Sequence, residues 1–338
     1  MNNSIKAQVR KLWECCFNDT PEFTDLYFSK RYTDERNIVI EKENKVVSAL
    51  QLLPYPLTFY NSTLQSWYIS GAATFPEYRN QGVMKDLISS SFYRMQQNGI
   101  PISILIPADE WLFSYYEKSG YATVFYSDTK TIKKSDFSYA SSNLYKIKQH
   151  TEYSREVQHY LNRKLKEKRS AILHPEEDLQ VILADLSLVD GRVITLEKGS
   201  EIEGLAILWK KKNRIYINEL LTDSEEIEKE LFYYLFTKDI DEIHRTQAST
   251  QEEGKPLGML RIIDVKQLLD LYASANPQNS LQFNLTDPLL AENNGFYSLK
   301  DGICNKSSIQ KGVPQKTLIE LTKELFIPLS PHMSLMLN

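Results

Sequence analysis

The sequence predicts an α/β protein with mixed sheets, built from more than one domain. Three observations carry that expectation. Its 338 residues exceed an ordinary single domain and are enough for two or three. Hydrophobic residues at 42% and charged residues at 25% are globular proportions, so a disordered or collagen-like chain is excluded. Between residues 67 and 132 the apolar spacing alternates between strand and helix periods, which implies at least one parallel strand pair.

The elements follow in order. Residues 5–32 are helical in pattern, with Leu12, Trp13, Cys16 and Phe17 on one face, and Thr20-Pro21-Glu22 restarts a helix. Two strands are expected at 38–40 and 46–53, joined by a turn at 42–45, then a second hairpin across Asn61-Ser62-Thr63 and a strand from Trp67 to Phe75. Met84, Leu87, Ile88, Ser91, Phe92 and Met95 recur at helical spacing opposite Lys85, Asp86, Ser89, Arg94 and Gln96, and Gly99 and Pro101 end that helix. The apolar run 100–106 reads as a strand buried on both faces. A short helix at 110–118 stops at Gly120, and a long strand runs from Tyr121 to Ile132. Residues 135–143, rich in Ser, Asp and Asn, suit a linker.

Beyond it come a basic helix at 152–170, strands at 193–196, 205–209 and 214–220, and a helix at 225–236 capped by Asp223 or Ser224. Residues 247–256 suit a second boundary. The rest carries helices at 264–272 and 315–326 and strands at 281–285 and 295–299.

Composition bounds function. Forty Lys and Arg against 44 Asp and Glu leave a net charge of −4, so nucleic acid is not an expected partner. Cys15, Cys16 and Cys304 form no CxxC pair and no disulfide framework. The first residues lack a signal-peptide core, and no apolar run approaches the ~20 residues of a membrane span. A cytoplasmic protein without membrane contact is expected. His150, His159, His174, His244 and His332 are scattered, and no zinc, serine-hydrolase, P-loop or dinucleotide motif occurs, so no metal is expected.

One segment carries chemistry. From Tyr68 to Met84 a strand runs through a short turn into an amphipathic helix that opens at Gly82. Such a helix start offers unpaired N–H groups and the positive end of the dipole, which suit a diphosphate. Gly82 lets the backbone approach, and Arg79 either adds charge or braces the turn.

Arg79-Asn80-Gln81-Gly82-Val83-Met84 resembles the acyl-CoA pyrophosphate loop of the GNAT acetyltransferases, Gln/Arg-x-x-Gly-x-Gly/Ala, except that Met84 fills the last position. The strand at 100–106 and Tyr115-Tyr116-Glu117-Lys118-Ser119-Gly120-Tyr121 resemble that superfamily's next strand and its Phe-Tyr-x-x-x-Gly-Phe signature. The segment from Phe75 to Met84 is similar to the enhanced intracellular survival (Eis) branch. Met259-Leu260-Arg261-Ile262-Ile263-Asp264-Val265 and Asn293-Asn294-Gly295-Phe296-Tyr297 resemble the sterol-carrier-like domain that closes those proteins.

The resemblance implies three domains: a catalytic GNAT domain at 1–134, a degenerate GNAT-like domain at 135–250, and a sterol-carrier-like α+β domain at 251–338 that delivers the C-terminus. It implies direct transfer of acetyl from acetyl-CoA to a primary amine of a small molecule or of a lysine side chain. Ala72, Ala73 and Thr74 would hold the pantetheine arm and thioester, and Arg79, Asn80, Gln81, Gly82, Val83, Met84 and Lys85 the pyrophosphate. Tyr116 falls at the position of the general acid, with Tyr115 as the alternative. A phenol of pKa about 10 is close to an alkyl thiol in basicity. The base implied by the Eis branch is the chain's own carboxylate, here that of Asn338, at the end of a tail with three Leu and two Met in ten residues. Glu22, Asp25, Asp109 and Glu110 are less favoured bases.

The sequence departs from the family at Asn80 and Gln81, where well-known members carry arginines, and no acidic run marks a pocket for a polycation. Aminoglycoside acetylation is therefore not carried over. Two readings compete with the acetyltransferase: a non-catalytic binder of an apolar ligand through the sterol-carrier-like domain, and transfer of another acyl or aminoacyl group on the same scaffold. The acceptor's identity and assembly as a homo-oligomer stay open.

Overall fold

The structure, a computed structural model, describes residues 4–142 and 144–336. They gather into two units: residues 4–125 with Pro256–Pro331, and Tyr126–Lys255 with residues 332–336.

The first unit begins with α1 (Ile5–Cys16) and α2 (Pro21–Lys30). The Ser4 and Thr20 hydroxyls cap them, accepting from Ala7 N and Phe23 N, and Pro21 occupies the first turn where its missing N–H costs nothing. Then come β1 (Asn37–Lys42), β2 (Lys45–Phe59), β3 (Ser62–Thr74), α3 (Val83–Gln97), β4 (Ile102–Leu105) and α4 (Glu110–Glu117). β2 runs well past the expected end at 53, through Pro54 and Pro56. Pairing with β1 stops at Gln51, so beyond it one edge of β2 is free and the missing proline N–H groups leave no ladder bond unmade.

β5 (Ala122–Lys133) passes from the first unit into the second. There follow β6 (Lys146–His150), α5 (Arg155–Lys166), α6 (Glu176–Leu186), β7 (Gly191–Lys198), β8 (Glu201–Lys211), β9 (Arg214–Thr222), α7 (Glu225–Phe236) and β10 (Glu242–Ala248). In this unit β5 pairs antiparallel with β10, β10 parallel with β9, and β9, β8, β7 and β6 form an antiparallel meander. Alternation sorts the two faces. Val193, Leu205 and Ile207 pack with α5 and α6, whereas Ile194, Ala206 and Leu208 pack with α7. α6 is absent from the sequence expectation because Leu179, Val181, Ile182 and Leu183 are all buried, so the helix shows no clear polar face. Ser224, rather than Asp223, caps α7.

The chain then returns to the first unit with β11 (Lys255–Ile262), α8 (Val265–Ala275), β12 (Leu281–Leu285), β13 (Gly295–Lys300), β14 (Ile303–Ser307), β15 (Gln315–Lys316) and α9 (Leu318–Phe326). β11 pairs antiparallel with β4, Met259 opposite Leu105 and Ile262 opposite Ile102. Residues 259–262, which resembled part of a separate closing domain, are thus a strand of the first unit's sheet, ordered β1-β2-β3-β4-β11 with the start of β5 beyond. A small sheet, β14-β13-β12-β15, completes the unit. Helices α8 and α9 meet the β2–β3 hairpin through Tyr60–Tyr272 and Phe59–Phe326 ring contacts at 5.9 and 5.1 Å. α9 opens with a capping box between Thr317 and Glu320.

Candidate active site

The site is built at a fork. β3 and β4 are parallel partners only from Ser66–Ile102 to Tyr68–Ile104. Beyond that point β3 keeps β2 on one side, and among the described residues no strand pairs with its other side. Within this stretch Ala49 faces Ala73 and Gln51 faces Ser70, so β3 carries one extra residue and bulges at Gly71-Ala72. Gly71 has φ +61, and a Cβ there would lie 2.2 Å from the Trp13 ring, so both the backbone and the packing of α1 require glycine. The Phe75 amide bonds Val47 O, which turns the Thr74 backbone groups to the open edge.

The strand end is braced. Arg79 donates from Nε to Thr74 O at 3.0 Å and from Nη2 toward Cys16 Sγ at 3.6 Å, so its guanidinium ties the loop to α1 and β3. Of its two expected uses, the structure places it in the bracing one. The Gln81 side chain is likewise engaged, donating to Glu77 O and accepting from Lys42 Nζ. Asn80, at φ +60, and Gly82, at φ +81, turn the chain into α3. Gly82 caps the helix without any side-chain bond, and the first amide that finds an intrahelical acceptor is Asp86, bonding Gly82 O at 3.0 Å. The amides of Gly82, Val83, Met84 and Lys85 are the ones a helix start leaves without an intrahelical acceptor. Nothing lies within 4 Å of where a Gly82 Cβ would be. Four donors at the positive end of a helix, beside open space, fit a diphosphate.

Tyr116 reaches the same place from α4. It is 8% exposed and shares one apolar cluster with Ile69, Leu87 and Leu105, against which Ala72, Met84 and Tyr115 also pack. It lies close enough to Tyr68, the last paired residue of the fork, for charges on the two phenols to oppose each other. One apolar cluster therefore joins Tyr116 to residues of β3 and of the first turns of α3. Burial, with a smaller contribution from Tyr115, pushes the Tyr116 phenol up to about 12. That departs from the value near 10 expected from sequence. A phenol this weak stays protonated, and giving its proton to an alkyl thiolate is uphill in water. The burial that raises the phenol raises an adjacent thiolate too, which restores part of the match.

Asn338 lies outside the described residues. The tail before it is docked in the second unit: His332 N bonds Ser170 O, Ile172 N bonds His332 O, and His332 Nε2 and Ser334 Oγ meet Glu219 Oε2 at 2.7 and 2.5 Å. Burial raises the Glu219 carboxyl, but His332, Ser334 and Lys168 outweigh it and bring it down to about 2. The other candidate bases are exposed, and Asp25 is paired to Arg10 at 2.6 Å. Sequence reasoning missed Gly71, Trp13 and Cys16 as parts of the site. An isolated glycine within a strand pattern was the one available signal. Among the described residues no group of three or more His, Cys, Asp and Glu could hold a metal ion, and no helix is long and apolar enough to cross a membrane.

Residues 1–124 match the family described as acetyltransferase (GNAT) domain. No curated protein sequence matches the chain. Among solved structures, it is similar to a probable N-acyltransferase from Enterococcus faecalis V583, 15% identical over 94% of this chain and 86% of that one, with a TM-score of 0.78. A GCN5-related N-acetyltransferase from Anabaena variabilis is 19% identical over 93% and 86%, with a TM-score of 0.77. Eis1 from Mycobacterium abscessus is 11% identical over 95% and 87%, with a TM-score of 0.75. At these identities the likeness is one of fold. The match to a GNAT acetyltransferase domain over residues 1–124, within the first unit, supports an acyltransferase.

Proposed function

We propose that the protein is an acetyl-CoA-dependent N-acetyltransferase acting on a primary amine of a small molecule or of a lysine side chain. The observation that carries this reading is the uncapped start of α3 at Gly82, set beside the bulged end of β3 where β3 and β4 part. The amides of Gly82 to Lys85 hold the diphosphate. Asn80 and Gln81 contribute backbone conformation rather than charge. Ala72, Ala73 and Thr74 line the open strand edge for the pantetheine arm, and a backbone N–H aimed at the thioester oxygen stabilises the tetrahedral adduct. Aligning thioester and amine in one fork lowers the barrier by several kcal/mol (about 7–11 at best). Tyr116 donates to the departing thiolate, and the Asn338 carboxylate is the proposed base. Likeness in fold to Eis1 supports placing the chain in the Eis branch, with a degenerate GNAT-like domain within the second unit and a sterol-carrier-like domain after it. A cytoplasmic setting belongs to the same reading.

A panel of alkyl, aryl and amino-acid amines, read by thiol release from acetyl-CoA, tests it. Turnover with at least one amine is expected, and Gly82→Asp should raise the KM for acetyl-CoA. Failure of millimolar CoA to raise the melting temperature, where ligand at 100 times Kd stabilises by about 2.7 kcal/mol, would sink the reading. Asparagine amide chemistry is not needed at position 338, so a variant extended beyond Asn338 should lose turnover if the carboxylate is the base. Full turnover by that variant removes it from the mechanism.

A further inference from the structure

The two C-terminal sequence motifs, around Arg261 and Asn293, converge on one buried network that ends behind Tyr116. Arg261 is 1% exposed. Its Nη2 donates to both oxygens of Asp287, at 2.8 and 2.7 Å, and its guanidinium lies 4.5 Å from the centre of the Phe92 ring. Asp287 is held in turn by Asn293 Nδ2 at 2.9 Å and by the amides of Leu289 and Leu290, while Asn294 Oδ1 accepts from the Asp287 amide at 2.6 Å. The remaining arm, Nη1, donates to Ser119 O at 2.7 Å.

Ser119 belongs to the turn that ends α4. Ser119 N and Tyr121 N both bond the carbonyl of Tyr116, and Gly120 N bonds Glu117 O. Gly120 sits at φ +82, and a Cβ there would fall 1.9 Å from Arg261 Nη1. The glycine of the Tyr115–Tyr121 run is thus required by the guanidinium that presses on it. Tyr121 completes the clamp, its ring 5.8 Å from that of Tyr116 and its hydroxyl 2.5 Å from Ser103 Oγ. A buried ion pair adds little stability that an apolar pair would not; Arg261 Nε is left without a partner, so what the bonds of Nη1 and Nη2 contribute is geometry.

We propose that Arg261, fixed by Asp287, is a positioning residue that sets the Ser119–Gly120 turn and through it the place of the Tyr116 hydroxyl in the fork. This rests on the reading of Tyr116 as the proton donor. A planar fork reaches Asp287 and Ser119 O together, which a lysine cannot do.

The test uses the full chain, with Arg261→Lys, Tyr116→Phe and the double variant. Arg261→Lys should bind CoA like wild type and lose roughly tenfold or more in kcat with the best amine of the panel, as expected for a small misplacement of a reacting group. The double variant should be no slower than Tyr116→Phe alone. Nitration by tetranitromethane, resolved by peptide mass spectrometry, should speed up at Tyr116 in Arg261→Lys and stay unchanged at Tyr27. If Arg261→Lys does not fold, Arg261→Met with Asp287→Leu carries the same expectations. Losses that multiply in the double variant, or a lower Tm with unchanged turnover and nitration, overturn the role of Arg261. Wild-type turnover by Tyr116→Phe sinks the reading of Tyr116 itself and the proposal with it.

Discussion

Gly71, Gly82 and Tyr116 each make a separate demand at the level of single side chains. Gly71→Ala adds a methyl 2.2 Å from the Trp13 ring at a left-handed φ, and should cost about 2–4 kcal/mol in urea unfolding. Gly82→Asp has open space around it, so it should leave stability within about 1–2 kcal/mol of wild type, allowing for its positive φ. It nonetheless places a carboxylate against a bound diphosphate, and CoA affinity should fall roughly tenfold or more by calorimetry. Tyr116→Phe should lower kcat by about 10²–10⁴ with CoA affinity unchanged. Because burial raises the phenol to about 12, its donor form persists across the working range. A kcat profile should therefore show no alkaline fall dependent on Tyr116 below about pH 10.

Elements add constraints that no single residue shows. The tail beyond Pro331 is held as an element of the second unit, through backbone bonds to 170–172 and through Glu219. The Glu219 carboxyl titrates at about 2 when folded, against an ordinary 4.5. Since the folded value is the lower one, the stabilisation is complete above pH 4.5 and is lost as pH falls toward 2. The amount is of order 3 kcal/mol. Glu219→Gln should flatten the acid limb of stability between about pH 4.5 and 2 and speed proteolysis at residues 330–336. An unchanged acid limb would show that the pair does not hold the tail. Among the elements, helices and hairpins were the most legible in sequence. The caps at Thr20 and Ser224, the stripe of α3 and the stop at Gly120 all mark local bonds whose partners lie within a few residues. α6 left no such stripe, and the continuation of β2 through two prolines depends on a free edge that only the sheet creates.

For the molecule as a whole, the decisive feature is that the first unit is discontinuous in sequence. β11 closes the edge of β4, and Arg261 on that strand is buried among residues of α3 and the α4 turn. A fragment ending at residue 133 would expose the β4 edge and leave Gly120 facing a void. It should be insoluble or fail to bind CoA, whereas a chain through residue 336 should retain binding. A folded, CoA-binding fragment would show that β11 is dispensable.

The sequence by itself determined the α/β alternation, the glycine-opened helix and the aromatic run with its glycine. Each of these is written in a spacing of two to four residues, because the bonds that enforce it are local. The tertiary structure alone decided that Arg79 braces rather than reaches outward, that residues 259–262 belong beside β4, and that the tail locks onto Glu219. Those outcomes hang on polar groups finding partners 5 to 142 residues away, Arg261 and Glu219 buried and Arg79 at the surface, and such pairings leave no periodic trace in the chain.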